Sequence, residues 1–254
     1  MPVPQNVVGS GPLRVVALHG WFGCAAAGWG GYRDLVDGEK YSVAFLDYRG
    51  YGDRKDDPGP YTIEQIAADT LELADGLGWD TFALIGHSMG GVAIQKVYQL
   101  APQRVTAMIG IAAVHCTPFP WNDDSWKLFD DAAQADGNRF GIIDFTTGNR
   151  NTPTWVNKMV AASLANSTRE AFGSYLAPWG KADFAADLPD PGQAKVSLIV
   201  GAHDPALSAE FMKNTWLVTY PQASLDVVEN AGHYPMFEAP VNFTTVVEKA
   251  LDAI

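Results

Sequence analysis

Residues 86–90 read Gly-His-Ser-Met-Gly, a serine set between small residues. The pattern G-x-S-x-G suits a strand that turns sharply into a helix and lifts a serine hydroxyl above the sheet. The flanks fit that geometry. Phe82 to Ile85 form a continuous apolar run that reads as a buried strand, and Val92, Val97, Leu100 and Ala101 suit one face of a following helix. A glycine-rich turn binding phosphate at a helix N-terminus is the other reading. Met89, expected to be exposed and apolar, argues against it.

A serine hydroxyl is a weak nucleophile and needs a general base, itself oriented by a third group. The chain has five histidines. His19 and His87 sit in tight glycine-flanked turns, His115 ends a strand as a buried structural histidine would, and His203 adjoins an acid. His233 follows the last strand pattern and precedes the last helix, which places it at the sheet edge where Ser88 emerges. It is the candidate base, against the alternative of a core histidine satisfied by backbone.

Asp204, directly after a strand pattern, completes the order Ser88, Asp204, His233 expected of such a site. A turn former is its alternative. Of the rival carboxylates, Asp47 suits a turn and Glu238 lies on the loop of the base, which it can steady. The oxyanion of an acyl-transfer intermediate needs two aimed N–H groups. Met89 N–H is one; Trp21, or Phe22, in ALHGWFGC supplies the other, unless that stretch is only a glycine turn with packed aromatics. Trp21, Phe22, Met89, Trp121 and other aromatics of the segment that holds Trp121 are the expected lining of a pocket for a small to medium apolar or aromatic group, although tryptophans in such a segment also serve packing.

These residues need a sheet to present them. Apolar runs at 13–18, 41–46, 82–86, 105–113, 196–201 and 224–228 read as strands. Several lack alternation, as strands covered on both faces do. A short antiparallel strand is expected around Gln5 to Val8. Thr62 with Gln65 is a capping-box signature, the helix that follows can end at Gly78, and a last helix begins near Pro240. The alternation predicts an α/β fold with a mostly parallel, doubly wound sheet of seven or eight strands. Between Cys116 and about Pro191 no strand pattern appears, but Trp121, Trp126, Trp155 and Trp179 do. This is too aromatic for a solvated linker. It predicts a core domain of 1–115 and 192–254, with 116–191 as a helical lid or, alternatively, an independent helical subdomain.

The 254 residues suffice for one large α/β domain or two small ones. A net charge of -12 argues against nucleic acid or an anionic membrane as partner. The N-terminus lacks the basic and apolar regions of a secretory signal, and no apolar stretch reaches membrane-spanning length, so a cytoplasmic protein acting on a small molecule is expected. Cys24 and Cys116 stand outside any metal-binding spacing and are expected as free thiols, a disulfide being the alternative if their loops meet; no metal or cofactor is expected.

Five motifs together resemble the α/β-hydrolase fold superfamily over nearly the whole chain: HGW at 19–21, DYRGYGD at 47–53, GHSMGG at 86–91, GAHD at 201–204 and NAGHYPMFEAP at 230–240. Within it the chain is similar to small capped carboxylesterases, the biotin-pathway methyl-ester esterase, cofactor-free perhydrolases and carbon–carbon bond hydrolases. The resemblance implies a triad of Ser88, Asp204 and His233, an oxyanion hole from the amides of Trp21 and Met89, and a cap after the sixth of eight strands. The short N-terminus puts the first of those eight in question. The implied activity is hydrolysis of a carboxylic ester or lactone through an acyl-enzyme. Perhydrolase or haloperoxidase, carbon–carbon hydrolase and cofactor-free dioxygenase chemistry are alternatives on the same fold, and a slow-turnover ligand receptor is a non-enzymatic one. Epoxide hydrolases and haloalkane dehalogenases use an aspartate where Ser88 stands, so those activities do not fit.

Overall fold

The computed structural model describes residues 3–254. The apolar runs become seven strands: β1 (Val7–Val8), β2 (Leu13–Leu18), β3 (Tyr41–Leu46), β4 (Phe82–His87), β5 (Val105–Ile111), β6 (Val196–Gly201) and β7 (Ser224–Val228). Their order is β1-β3-β2-β4-β5-β6-β7. β1 is antiparallel to β3, and the other neighbours pair in parallel. Successive residues of one strand enter opposite cores: Val16 and Leu18 join one apolar cluster, Val15 and Ala17 the other. Both faces are therefore covered, which is why the strands read as unbroken apolar runs. Among the described residues the sheet has seven strands and opens with β1, the short antiparallel strand.

Helices α1 (Tyr32–Leu35), α2 (Ile63–Gly76) and α3 (Met89–Leu100) follow β2, β3 and β4. Four more, α4 (Asp123–Asp131), α5 (Asp136–Thr146), α6 (Pro153–Asn166) and α7 (Arg169–Gly180), stand between β5 and β6. The chain closes with α8 (Ala209–Asn214), α9 (Trp216–Thr219), α10 (Pro235–Glu238) and α11 (Pro240–Asp252). None of these helices is long and apolar enough to cross a membrane. Cys24 and Cys116 are buried and unpaired.

Local details depart from the sequence pattern in two places. Thr62 Oγ1 accepts the Gln65 N–H at 3.1 Å, but the Gln65 side chain donates to Asp69 at 2.8 Å instead of reaching back to the cap. A buried carboxylate outcompetes a cap amide that water can serve. β5 stops at Ile111, two residues early, because Ala112 turns to φ 38° while its N–H bonds Ile199 O at 2.8 Å.

The turn after β3 is latched from two sides. Asp47 accepts the N–H of Ala25 at 2.7 Å and of Asp53 at 3.0 Å, so it ties the loop after β2 to its own turn. Burial raises its carboxyl above the usual range. Arg54, also buried, donates to Asp69 at 2.7 Å and to Asp57 at 2.9 Å. Asp69 on α2 further accepts from Arg49. Breaking such a buried pair from one side leaves a charge without compensation, typically at a cost of about 3–5 kcal/mol. Asp69→Ala is expected to destabilise the fold by about that amount in urea unfolding; a change under about 1 kcal/mol would show that the latch carries little.

Candidate active site

Ser88 connects β4 to α3 at φ 54° and ψ -117°, a region that costs an L residue about 1–3 kcal/mol. The surroundings hold it there. Its N–H donates to Ile111 O at 3.0 Å, and its carbonyl accepts the N–H of Gly91 at 2.8 Å and of Val114 at 3.0 Å. Strand and helix approach too closely for side chains: a Cβ on Gly86 would overlap the Gly90 carbonyl, and one on Gly90 would overlap that of Leu18. The Ser88 hydroxyl makes no hydrogen bond among the described residues and faces a cavity.

His233 lines the same cavity. Its Nδ1 lies 2.6 Å from Asp204 Oδ2, so Nδ1–H donates to the carboxylate and Nε2 keeps its lone pair. The other Asp204 oxygen accepts the N–H of Ala206 at 2.9 Å and of Leu207 at 3.1 Å, which pins a carboxylate that is itself buried. The His233 backbone is held at both ends: its N–H donates to Thr146 O at 3.1 Å, and its carbonyl accepts from His87 Nε2 at 2.9 Å.

Trp21 lies in the turn after β2, closed by Gly23 N–H to Gly20 O at 2.9 Å. Its carbonyl accepts from Tyr51 Oη at 3.0 Å. Its indole N–H donates to Phe172 O on α7 at 2.7 Å, and its ring stacks on Phe172 at 3.9 Å. The backbone N–H groups of Trp21, Phe22 and Met89 find no protein acceptor among the described residues. For Met89 this follows from its place as first residue of α3.

The cavity is narrow, with about 40 Å³ open to the centres of water-sized molecules. Trp21, Phe22 and Trp121 line it, as the sequence pattern suggested, but the Met89 side chain does not. Met89 was expected to be exposed; it is fully buried, in the cluster that holds Leu18, Trp21 and Ala113. An unbranched apolar chain at this bend gains more by joining the core than by facing a cavity. Sequence reasoning did not single out Phe119, Phe129 and Trp179 among the aromatics of the segment between β5 and β6, and it missed Tyr234 next to the base. The neighbourhood of His233 could have suggested Tyr234. Helical spacing alone does not say which aromatics face a cavity. Among the described residues the wall holds the His233 imidazole but no lysine, arginine or carboxylate, and the Thr146 hydroxyl is engaged by Ile142 O at 2.8 Å.

Residues 15–245 match the family described as the alpha/beta hydrolase family. The chain belongs to that family. A pimeloyl-[acyl-carrier protein] methyl ester esterase of Serratia marcescens is 25% identical over 264 residues, covering 98% of this chain and 97% of the relative. An esterase from Exiguobacterium antarcticum superposes with a TM-score of 0.85 at 21% identity, over 98% of this chain and 95% of the other. A bromoperoxidase from Bacillus anthracis does so with a TM-score of 0.81 at 16% identity, over 98% and 94%. At such identities the superpositions speak for the fold. The family and the esterase relatives support a hydrolase.

The remaining histidines of this alpha/beta hydrolase have other partners. His19 Nδ1 is 2.8 Å from Gly20 O and its ring stacks on Tyr48 at 3.9 Å. His115 Nδ1 is 3.0 Å from Thr117 Oγ1, and His203 is exposed. The rival carboxylates are also engaged. Asp47 serves its turn, and Glu238 accepts the Tyr234 N–H at 3.1 Å while reaching Arg150 and Asn151 at 3.4 Å. Burial pushes His19 and His115 down to about 4, and burial together with the neighbouring His233 pushes His87 well below its ordinary value.

These three rings are neutral in the folded hydrolase and titrate near 6.5 once unfolded. Below that pH the unfolded chain binds more protons than the native one. Stability is therefore complete above about pH 6.5 and falls toward pH 4, by up to about 1.4 kcal/mol per pH unit for each ring. Urea midpoints measured from pH 7 to 5 are expected to drop steadily, and the slope should lessen in His115→Phe. A flat profile over that range would contradict neutral burial.

Proposed function

We propose that the protein is a serine hydrolase that cleaves a carboxylic ester, or lactone, of a small to medium apolar or aromatic substrate through an acyl-enzyme. The observation that carries this reading is the Asp204–His233 pair, with its open Nε2, on the same cavity wall as the Ser88 hydroxyl. His233 takes the proton from Ser88, whose oxygen attacks the ester carbonyl. Asp204 keeps the ring in the required tautomer and stabilises the imidazolium. The free amides of Met89 and Trp21 receive the oxyanion, each such donor being worth roughly 10²–10³ in rate. The imidazolium then protonates the departing alcohol. Water gives its proton to His233 and its hydroxide to the acyl carbon; the bond to the Ser88 oxygen then breaks, that oxygen takes the proton back from His233, and the acid is freed.

The helices between β5 and β6 act in this reading as a cap. Phe129 and Trp179 on these helices, with Phe119 and Trp121 just before them, supply part of the apolar wall, and the Trp21 indole anchors the helices to the turn that carries an oxyanion amide. A wall without lysine, arginine or carboxylate favours uncharged acyl and alcohol groups, because an ion buried there would lose its hydration without a partner. The esterase names of the relatives support the same bond type.

A fluorophosphonate probe is expected to label Ser88, found by peptide mapping. Ser88→Ala should abolish labelling and lower kcat on the best ester by more than about 10³-fold with an unchanged circular dichroism spectrum. Asp204→Asn should lower kcat by roughly 10³–10⁴-fold with little change in KM, through the wrong tautomer of His233. In a panel of p-nitrophenyl esters, uncharged aliphatic and aromatic acyl groups should exceed ω-carboxylated ones of equal length. A Ser88→Ala variant with wild-type turnover would overturn the proposal.

A further inference from the structure

The imidazole of His87 takes part in no step assigned above, yet it lies between the nucleophile and the base. It is buried, and its ring centroid is 4.9 Å from that of His233. Its Nε2 is 2.9 Å from the His233 carbonyl oxygen. A carbonyl only accepts, so Nε2 carries the proton and Nδ1 does not. The opposite side of the ring is closed by Gly20, where a Cβ would stand 2.7 Å from His87 Nδ1 and 3.1 Å from Ser88 Cβ. The ring is thus wedged between the turn that carries the Trp21 amide and the loop that carries His233.

Three polar groups of His233 are occupied. Asp204 takes Nδ1–H, Thr146 takes the backbone N–H, and His87 serves the carbonyl. The Asp204 bond orients the ring but does not by itself place the backbone from which the ring swings. The Thr146 bond comes from α5, outside the sheet. Among the described residues, the His87 bond alone joins the backbone of the base to the elbow itself, one residue from Ser88.

We propose that His87 is a positioning residue whose Nε2–H···O=C bond to His233 holds the base in register with Ser88. The inference rests on the reading of Ser88 and His233 as nucleophile and base. Its physical weight comes from the steepness of proton transfer with geometry: a displacement of about 1 Å at a reacting pair can cost about 10²-fold in rate. A positioning bond of this kind acts on the chemical step and leaves the apolar wall that binds substrate untouched.

The test compares His87→Leu, which removes the donor, with His87→Gln, whose amide N–H has similar reach. Turnover is counted per active site titrated with fluorophosphonate. His87→Leu is expected to lower kcat by about 10–100-fold with KM within about threefold, and His87→Gln to recover most of the loss. A Leu variant whose kcat per site stays within about twofold of wild type, or a Gln variant as slow as the Leu one, overturns the proposal. If the Leu variant does not fold, nitrogen-15 spectra of histidine-labelled wild type decide: a His87 ring protonated at Nε2 supports the bond, and a neutral ring protonated only at Nδ1 overturns it. Failure of wild-type Ser88 to react with the probe would strike the hydrolase reading itself. Normal labelling with an unaffected Leu variant strikes only the role of His87.

Discussion

The backbone of Ser88 is the constraint on which the rest of the structure depends. A φ of 54° in a residue with a side chain is unfavourable, and it persists only where the surroundings leave no alternative. Here β4 runs straight into α3, and Ile111, Gly91 and Val114 each hold the Ser88 backbone by a hydrogen bond. Gly86 and Gly90 remove the side chains that would keep strand and helix apart. The bend lifts a hydroxyl off the sheet edge and leaves the Met89 amide at a helix start without an internal acceptor. Every other part of the candidate site has to be brought to that point.

Two loops are brought to it by quite different means. The turn after β2 is drawn in by polar latches: Asp47 binds the amides of Ala25 and Asp53, Tyr51 holds the Trp21 carbonyl, and Arg54 anchors the Asp47 turn to α2 through Asp69. The loop after β7 is drawn in by Asp204 at the end of β6, by Thr146 at the end of α5 and by His87 on the elbow. These carboxylates and rings are buried, so each lost hydrogen bond would leave an uncompensated polar group, and the arrangement is correspondingly rigid. The helices between β5 and β6 take part in both attachments, through Phe172 and Thr146.

Much of the architecture was legible in the chain itself. The central strands could be read because both of their faces are buried, and their parallel course because helical patterns separate them. Gly86 to Gly90 announced the elbow because its geometry tolerates few residue types. Strand ends and side-chain facing were less legible. Ala112 belongs by composition to β5 but leaves it for a positive φ, and Gln65 prefers the buried Asp69 to the cap it could have completed. The Met89 side chain, placed in a pocket by its neighbourhood, belongs to the core. For Ala112 and Met89 contacts distant in sequence outweighed the local pattern, and for Gln65 it was a buried carboxylate one helical turn away.

The sequence by itself determined the fold class, the order of its elements and a short list of candidate residues for the site, since periodicity and small-residue turns are local properties. The tertiary structure decided which of them meet. Asp204 and His233 are paired at 2.6 Å because the ends of β6 and β7 lie side by side, and Phe119, Phe129 and Trp179 face the cavity because their segment folds back over Trp21. Such facing follows from packing between distant segments, and no local spacing encodes it.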